Sequence, residues 1–348
     1  KMKCSDFIFV LFLSCGSPLS KSLKSSLIKP KQINPFFRCG ITTALRSKFD
    51  AETEFDSKLE TKDVKRCISI LRKNRNQIEM DENRAEKLIS QVGEAILELS
   101  ENSKTSNDLE EDDLSYVYNE LKYRNILKSY LSVDMDVIPY KNKYVSQEKL
   151  EELTALNIEA LSPGKSNNIF AYAGAFLFLI EISIGQYFQI DPLTTLVPGT
   201  FLLFAVDKFV FGGAISETIL RFFNPTYKAK IVRHEAGHFL LAYLLGCPIS
   251  GCILDPWKVR KYIKGGQGGT IFADPIFSKG LMSGNITKSS VDRFSVVLMG
   301  GIAAEAILYE KSEGGASDES YLIELLSSLQ PPFSYSMIKI QARWAALQ

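Results

Sequence analysis

Residues 169–190 are apolar apart from Glu181 and a few small polar side chains, a run long enough to cross a bilayer as a helix. Such a run must be covered by lipid or by a protein core, so it constrains whatever lies on either side of it. A second apolar stretch, residues 193–215, carries Asp207 and Lys208 within it. No Lys or Arg occurs between Lys165 and Lys208, and positive charge resumes at Arg221, Lys228, Lys230 and Arg233. This pattern predicts a membrane hairpin over residues 167–222, with both ends on one basic side and a short turn at Asp191-Pro192 on the other. The competing reading is a helical hairpin buried in a soluble core, because charges inside a span are costly.

Upstream of the hairpin the chain changes texture twice. Residues 1–48 hold nine Lys or Arg and one acid, Asp6, among frequent Ser and Thr, which predicts an organelle transit peptide. A secretory signal with residues 7–13 as its apolar core is the alternative. Residues 49–166 are densely charged with helical periodicity and predict a helical region. One stripe carries Leu88, Val92, Ile96 and Leu99 after the capping candidates Asp81 and Asn83, and another carries Leu114, Val117, Leu121, Leu127 and Leu131. Gly164-Lys165-Ser166 imitates the end of a phosphate-binding loop, but Glu159 occupies the position that needs glycine, so ATP binding is not expected.

A net charge of +1 gives no global field, and nucleic acid is not expected as a partner. Of the six cysteines, Cys4, Cys15 and Cys39 lie in the predicted leader. Cys67, Cys247 and Cys252 form no disulfide framework, and the Cys247–Cys252 spacing is wider than that of a zinc knuckle.

The segment that carries chemistry lies in residues 223–348. Asn224-Pro225 stands before it and Gly246-Cys247-Pro248 after it, which is punctuation for one helix. On that helix His234 and His238 are one turn apart on one face, so both imidazoles can reach a single zinc ion. Glu235 sits beside the first of them, placed to reach water rather than metal, as the general base of a metallopeptidase would be. These are the only two histidines in the chain, so any remaining protein ligand must be a carboxylate or, less favourably, a thiolate. Downstream, Gly300-Gly301 opens a helix of small residues suited to close packing. Residues 313–320 make a turn that presents acids at the start of the next helix, where merely capping that helix is the alternative role for them.

The combination of His234-Glu235-Ala236-Gly237-His238, the Gly300-to-Glu305 helix and Gly315-Ala316-Ser317 with its acids resembles the protease domain of FtsH-type zinc metalloproteases. The resemblance covers about residues 225–348 and omits the ATPase module. The layout resembles the plastid FtsH-like zinc metalloproteases of plants that lack the AAA ATPase domain. It implies that a carboxylate after the Gly-Ala-Ser turn completes the zinc site. Ungapped matching makes that ligand Glu319, whereas a one-residue shift makes it Asp318 and keeps the residue type of the family ligand. Glu305 matches a structural glutamate of the family. The glycine-rich segment 264–273 reads first as an ordinary hairpin turn, and it also resembles the entry to a strand that, in related peptidases, pairs with extended substrate.

The expected fold is therefore α+β and predominantly α-helical, with a zincin-like FtsH-type peptidase domain, a helical N-terminal region and a membrane hairpin. The expected activity is ATP-independent cleavage of unfolded or membrane-associated proteins by a zinc metalloendopeptidase in a chloroplast membrane, thylakoid or envelope. Expected partners are protein or peptide substrates and the membrane, and homo- or hetero-oligomerisation is left open. Two rivals remain. One is a non-proteolytic membrane assembly or scaffold protein that retains a zinc site. The other is a site-2-type peptidase with its histidines inside the bilayer, which Lys228, Lys230 and Arg233 argue against.

Overall fold

The computed structural model describes residues 35–101, 109–163, 169–189, 191–262 and 269–348. Most of the predicted leader, the Gly164-Lys165-Ser166 segment and the glycine-rich turn at 263–268 lie outside these residues. The chain divides into two compact units, Lys1–Lys128 and Ser129–Gln348. The described residues are predominantly α-helical, with one two-stranded sheet.

The first unit holds helices α1 (Pro35–Glu60), α2 (Val64–Lys73), α3 (Glu82–Glu101) and α4 (Glu111–Tyr123). The α3 stripe is borne out at Leu88 and Val92, but Ile96 is half-buried, Leu97 is buried beside it, and the Leu99 side chain lies outside the described residues. Leu88, Val92, Leu114, Val117 and Leu121 are fully buried together with Phe55 and Leu71. Asp81 caps α3, its carboxylate accepting from Arg84 N at 2.7 Å. The second stripe is shorter than its spacing suggests. α4 stops at Tyr123, Asn125 takes a left-handed φ of 58°, and Leu131 is exposed rather than stacked on the stripe. Buried Glu120 joins Arg75 and Arg124 at 2.7 and 2.8 Å, a polar pairing that apolar spacing does not encode.

The second unit begins with the short helices α5 (Gln147–Thr154) and α6 (Ile158–Leu161) and continues into the hairpin. Its first arm is α7 (Ile169–Phe188). Its second is a π-turn at Pro192–Leu196 running into α8 (Val197–Val210), with the chain reversing at Asp191-Pro192 as the sequence predicts. Residues Pro192–Val210 form the one described helix long and apolar enough to cross a membrane by length and composition, and almost none of it is buried. Phe176, Phe188, Phe201, Leu203 and Phe209 all face outward, and no other described part of the chain covers them. The two arms are tied by Thr200, whose hydroxyl donates to Glu181 and gives the one acid of the first arm a partner. Asp207 is accounted for as well. It is buried and caps the next helix, α9 (Ala214–Phe223), accepting from Ile215 N and Ser216 N at 3.0 Å each.

The core of this unit is the crossing of α10 (Pro225–Leu244) and α13 (Lys288–Tyr309). Between them in sequence come strand β1 (Ile249–Ile253), α11 (Pro256–Tyr262), strand β2 (Gly269–Phe272) and α12 (Pro275–Met282). After α13 come α14 (Ala316–Ser328) and α15 (Tyr335–Leu347). β1 and β2 pair antiparallel, with Cys252 opposite Thr270 and Ile253 opposite Gly269. The small residues predicted to allow close packing do so. A Cβ on Gly237 would fall 2.3 Å from Gly300 O, and one on Gly300 would fall 2.5 Å from Leu241 Cδ1, so neither position admits a larger side chain at this crossing.

Candidate metal centre

Helix α10 begins where the sequence predicts. Asn224 is its N-cap, accepting from Tyr227 N at 3.1 Å, and Pro225 takes the first position, where its missing N–H costs nothing. Gly246 ends it with a φ of +73°. The histidines are held on the face that meets α13. His234, Glu235 and His238 are all buried, which for three polar side chains on one helix turn requires partners.

Those partners converge. His234 Nε2 lies 2.8 Å from Asp318 Oδ2, His238 Nε2 lies 3.3 Å from the same oxygen, and the two Nε2 atoms are 3.1 Å apart. A tetrahedral zinc site with Zn–N bonds of about 2.0–2.1 Å has ligand–ligand edges of about 3.3 Å, so this triangle approximates one face of such a site. Asp318 arrives from the first turn of α14, which Gly315 starts from a left-handed φ of +90°. Glu319, one residue further and about 100° around the helix, is exposed and takes no part in the cluster.

The surroundings orient the donors. His238 Nδ1 donates to Val297 O at 2.8 Å, which directs the lone pair of Nε2 to the centre. His234 Nδ1 is buried without a hydrogen bond and lies 3.8 Å from Glu305 Oε2. That carboxylate oxygen accepts from Ser312 Oγ at 2.7 Å, Glu313 N at 3.1 Å and Gly314 N at 2.9 Å, so Glu305 pins the loop that delivers Asp318. Gly301 supplies space. A Cβ there would sit 2.4 Å from His238 Nε2 and 2.6 Å from His234 Nε2, so any larger side chain would crowd both imidazole donors. Without a metal, burial pulls the His234 pKa down, but the carboxylates of Asp318, at hydrogen-bond distance, and of nearby Glu305 outweigh it and raise the pKa to about 10. Burial pushes Asp318 up, and the two imidazoles pull it further down, below the usual carboxylate range. Two imidazoles and a carboxylate, clustered around a space kept open by a glycine, form a donor set suited to a divalent cation of the zinc type.

Glu235 points to the side bordered by the sheet. Thr270 Oγ1, on β2, lies 3.0 Å from Glu235 Oε2 and 3.4 Å from the Glu235 backbone carbonyl. It also lies 3.7 Å from Cys252 Sγ. Phe272, two residues on, packs edge-on at 6.4 Å from the His238 ring. Arg233 donates to Ala304 O from an exposed position and stays out of the centre. Cys247 and Cys252 form no disulfide.

Sequence reasoning named His234, Glu235 and His238 and preferred Asp318 slightly over Glu319; the structure brings His234, His238 and Asp318 together and leaves Glu319 outside. It missed Thr270, Gly301 and the Val297 carbonyl. Thr270 follows the glycine-rich segment and Gly301 belongs to a glycine pair, which are the only local signals of either. Comparison with family models, with curated proteins and with solved structures finds no match to this chain.

Proposed function

We propose that this chain is a zinc metallopeptidase that cleaves unfolded or membrane-associated proteins without hydrolysing ATP, anchored in a plastid membrane by its hairpin. One observation carries the reading. Asp318 meets the imidazoles of His234 and His238, while Glu235, on the same helix turn, is held apart from the cluster by Thr270. Zinc bound at the three donors would supply Lewis acidity and lower the pKa of water there to about 7. The chain's own residues then do the rest. Glu235 takes a proton from the attacking water and delivers it to the nitrogen of the departing amine. Thr270 donates to one carboxylate oxygen and orients the other for that transfer. β2 borders the site and offers backbone to an extended substrate. The order of motifs and the resemblance to FtsH-type peptidases support a zincin-like arrangement, and the basic, Ser-rich leader supports plastid import.

The test compares wild-type and Glu235→Gln chains of equal zinc content on an unfolded model protein without ATP. A general base accounts for about 10² to 10⁴ in rate, so the variant should be slower by that order with its metal retained. Equal cleavage by both would refute the role of Glu235. No cleavage by either would favour a scaffold that keeps the metal as a structural element.

A further inference from the structure

Helix α9 is amphipathic the wrong way round for a soluble protein. A surface helix normally turns its apolar stripe to the core and its charges to water. Here Glu217 is 7% exposed and faces inward, bonded to Arg221 Nε at 2.7 Å and to Tyr227 Oη at 2.8 Å, while Arg221 also donates to Leu254 O. The outward face carries Ile215, Ile219, Phe222 and Phe223, exposed by 39, 51, 79 and 78%. Their spacing places all four on one side of the helix.

This face is continuous with the hairpin. Gly212 and Gly213, with φ of +61° and +82°, end α8 and start α9 within two residues, and buried Asp207 fastens the corner by capping α9. Beside the corner, half-exposed Trp257 of α11 packs edge-on at 6.1 Å from Phe211. Lys208 on α8, Lys228 on α10 and Lys258 on α11 are exposed on the helices that neighbour α9 in sequence or pack against it. An outward apolar stripe that follows directly from an exposed apolar hairpin, with an aromatic beside the corner and exposed lysines on the adjoining helices, fits the boundary between acyl chains and anionic headgroups.

We infer that α9 is a membrane-surface helix, its Ile215, Ile219, Phe222 and Phe223 face lying in the bilayer interface. The inference rests on the membrane residence proposed above. It has a consequence for substrate. Asn224 alone separates α9 from α10, and His234 lies about 14 Å along α10 from its start, so the candidate metal centre lies no more than about that distance from the end of the surface helix. The site is thereby placed to meet segments as they emerge from the bilayer.

Fluorescence quenching in vesicles of phosphatidylcholine with a minority of phosphatidylglycerol tests this, using lipid brominated near either the glycerol end or the methyl end of its chains. The full chain has two tryptophans, and Trp344 is buried, so Trp257→Phe makes a parent to which one reporter is added. Phe222→Trp, with Ile219→Trp as a second position on the same face, should show blue-shifted emission, lost more to bromine near the glycerol end. Phe201→Trp on α8 reports the hairpin itself. Quenching of Phe201→Trp without quenching at 222 or 219 would overturn the surface helix and leave the hairpin reading intact. Stronger loss at 222 and 219 to bromine at the methyl end would also overturn it, because α9 would then run through the bilayer. Quenching at none of the three would overturn membrane residence and this inference together.

Discussion

At the scale of single residues, the centre depends on atoms that do not ligate as well as on those that do. Gly301 keeps open the space beside both Nε2 atoms, so Gly301→Ala should strip metal about as thoroughly as His234→Ala. Alanine favours a helix by about 1 kcal/mol over glycine, so the helical circular dichroism should persist in that variant. Metal content by atomic emission checks both points. The two acids part company in the same measurement. Asp318→Ala should lose its metal because two imidazoles hold zinc poorly, and exposed Glu319→Ala should keep it. Thr270 is a positioning residue for Glu235. Thr270→Val should lower kcat with KM and metal content unchanged, and Thr270→Ser, which keeps the hydroxyl, should restore it. A Thr270→Val chain with full kcat would remove Thr270 from the chemistry.

At the scale of elements, the position of Asp318, the proposed third ligand, depends on a loop held from behind. Glu305 on α13 accepts three hydrogen bonds from residues 312–314 and lies below its usual pKa. Burial pushes that pKa up, and His234, Ser312 and the Gly314 N–H more than offset it. Glu305→Ala leaves those donors without their acceptor and loosens the start of α14. Metal affinity should fall about 10- to 100-fold, the usual cost of losing an outer partner, with the three ligands themselves untouched. Titration with a competing chelator reads this directly. The crossing of α10 and α13 has its own demand. Gly237→Ala would place a methyl against Gly300 O, and the resulting overpacking should cost about 1–3 kcal/mol in urea denaturation.

At the scale of the whole molecule, the exposed hairpin and α9 predict that the protein stays in the pellet when membranes are washed with alkaline carbonate. Complete release into the supernatant would refute integral attachment. What the sequence by itself determined was local. Asn224-Pro225 and Gly246 set the ends of helix α10, and helical spacing puts His234 and His238 on one face whatever surrounds them. Charge distribution marked the hairpin and its turn for the same reason, since length and hydropathy are properties of a continuous segment. Only the tertiary structure decided between Asp318 and Glu319, because neighbours in sequence differ in direction, and direction depends on how α14 leaves the loop pinned by Glu305. The same holds for Thr270 and Gly301, brought to the centre from β2 and α13 by contacts across many residues of chain. Asp207 is the clearest case. In the sequence it reads as a charge misplaced in an apolar span, and folding makes it the cap that turns the chain from the hairpin into α9.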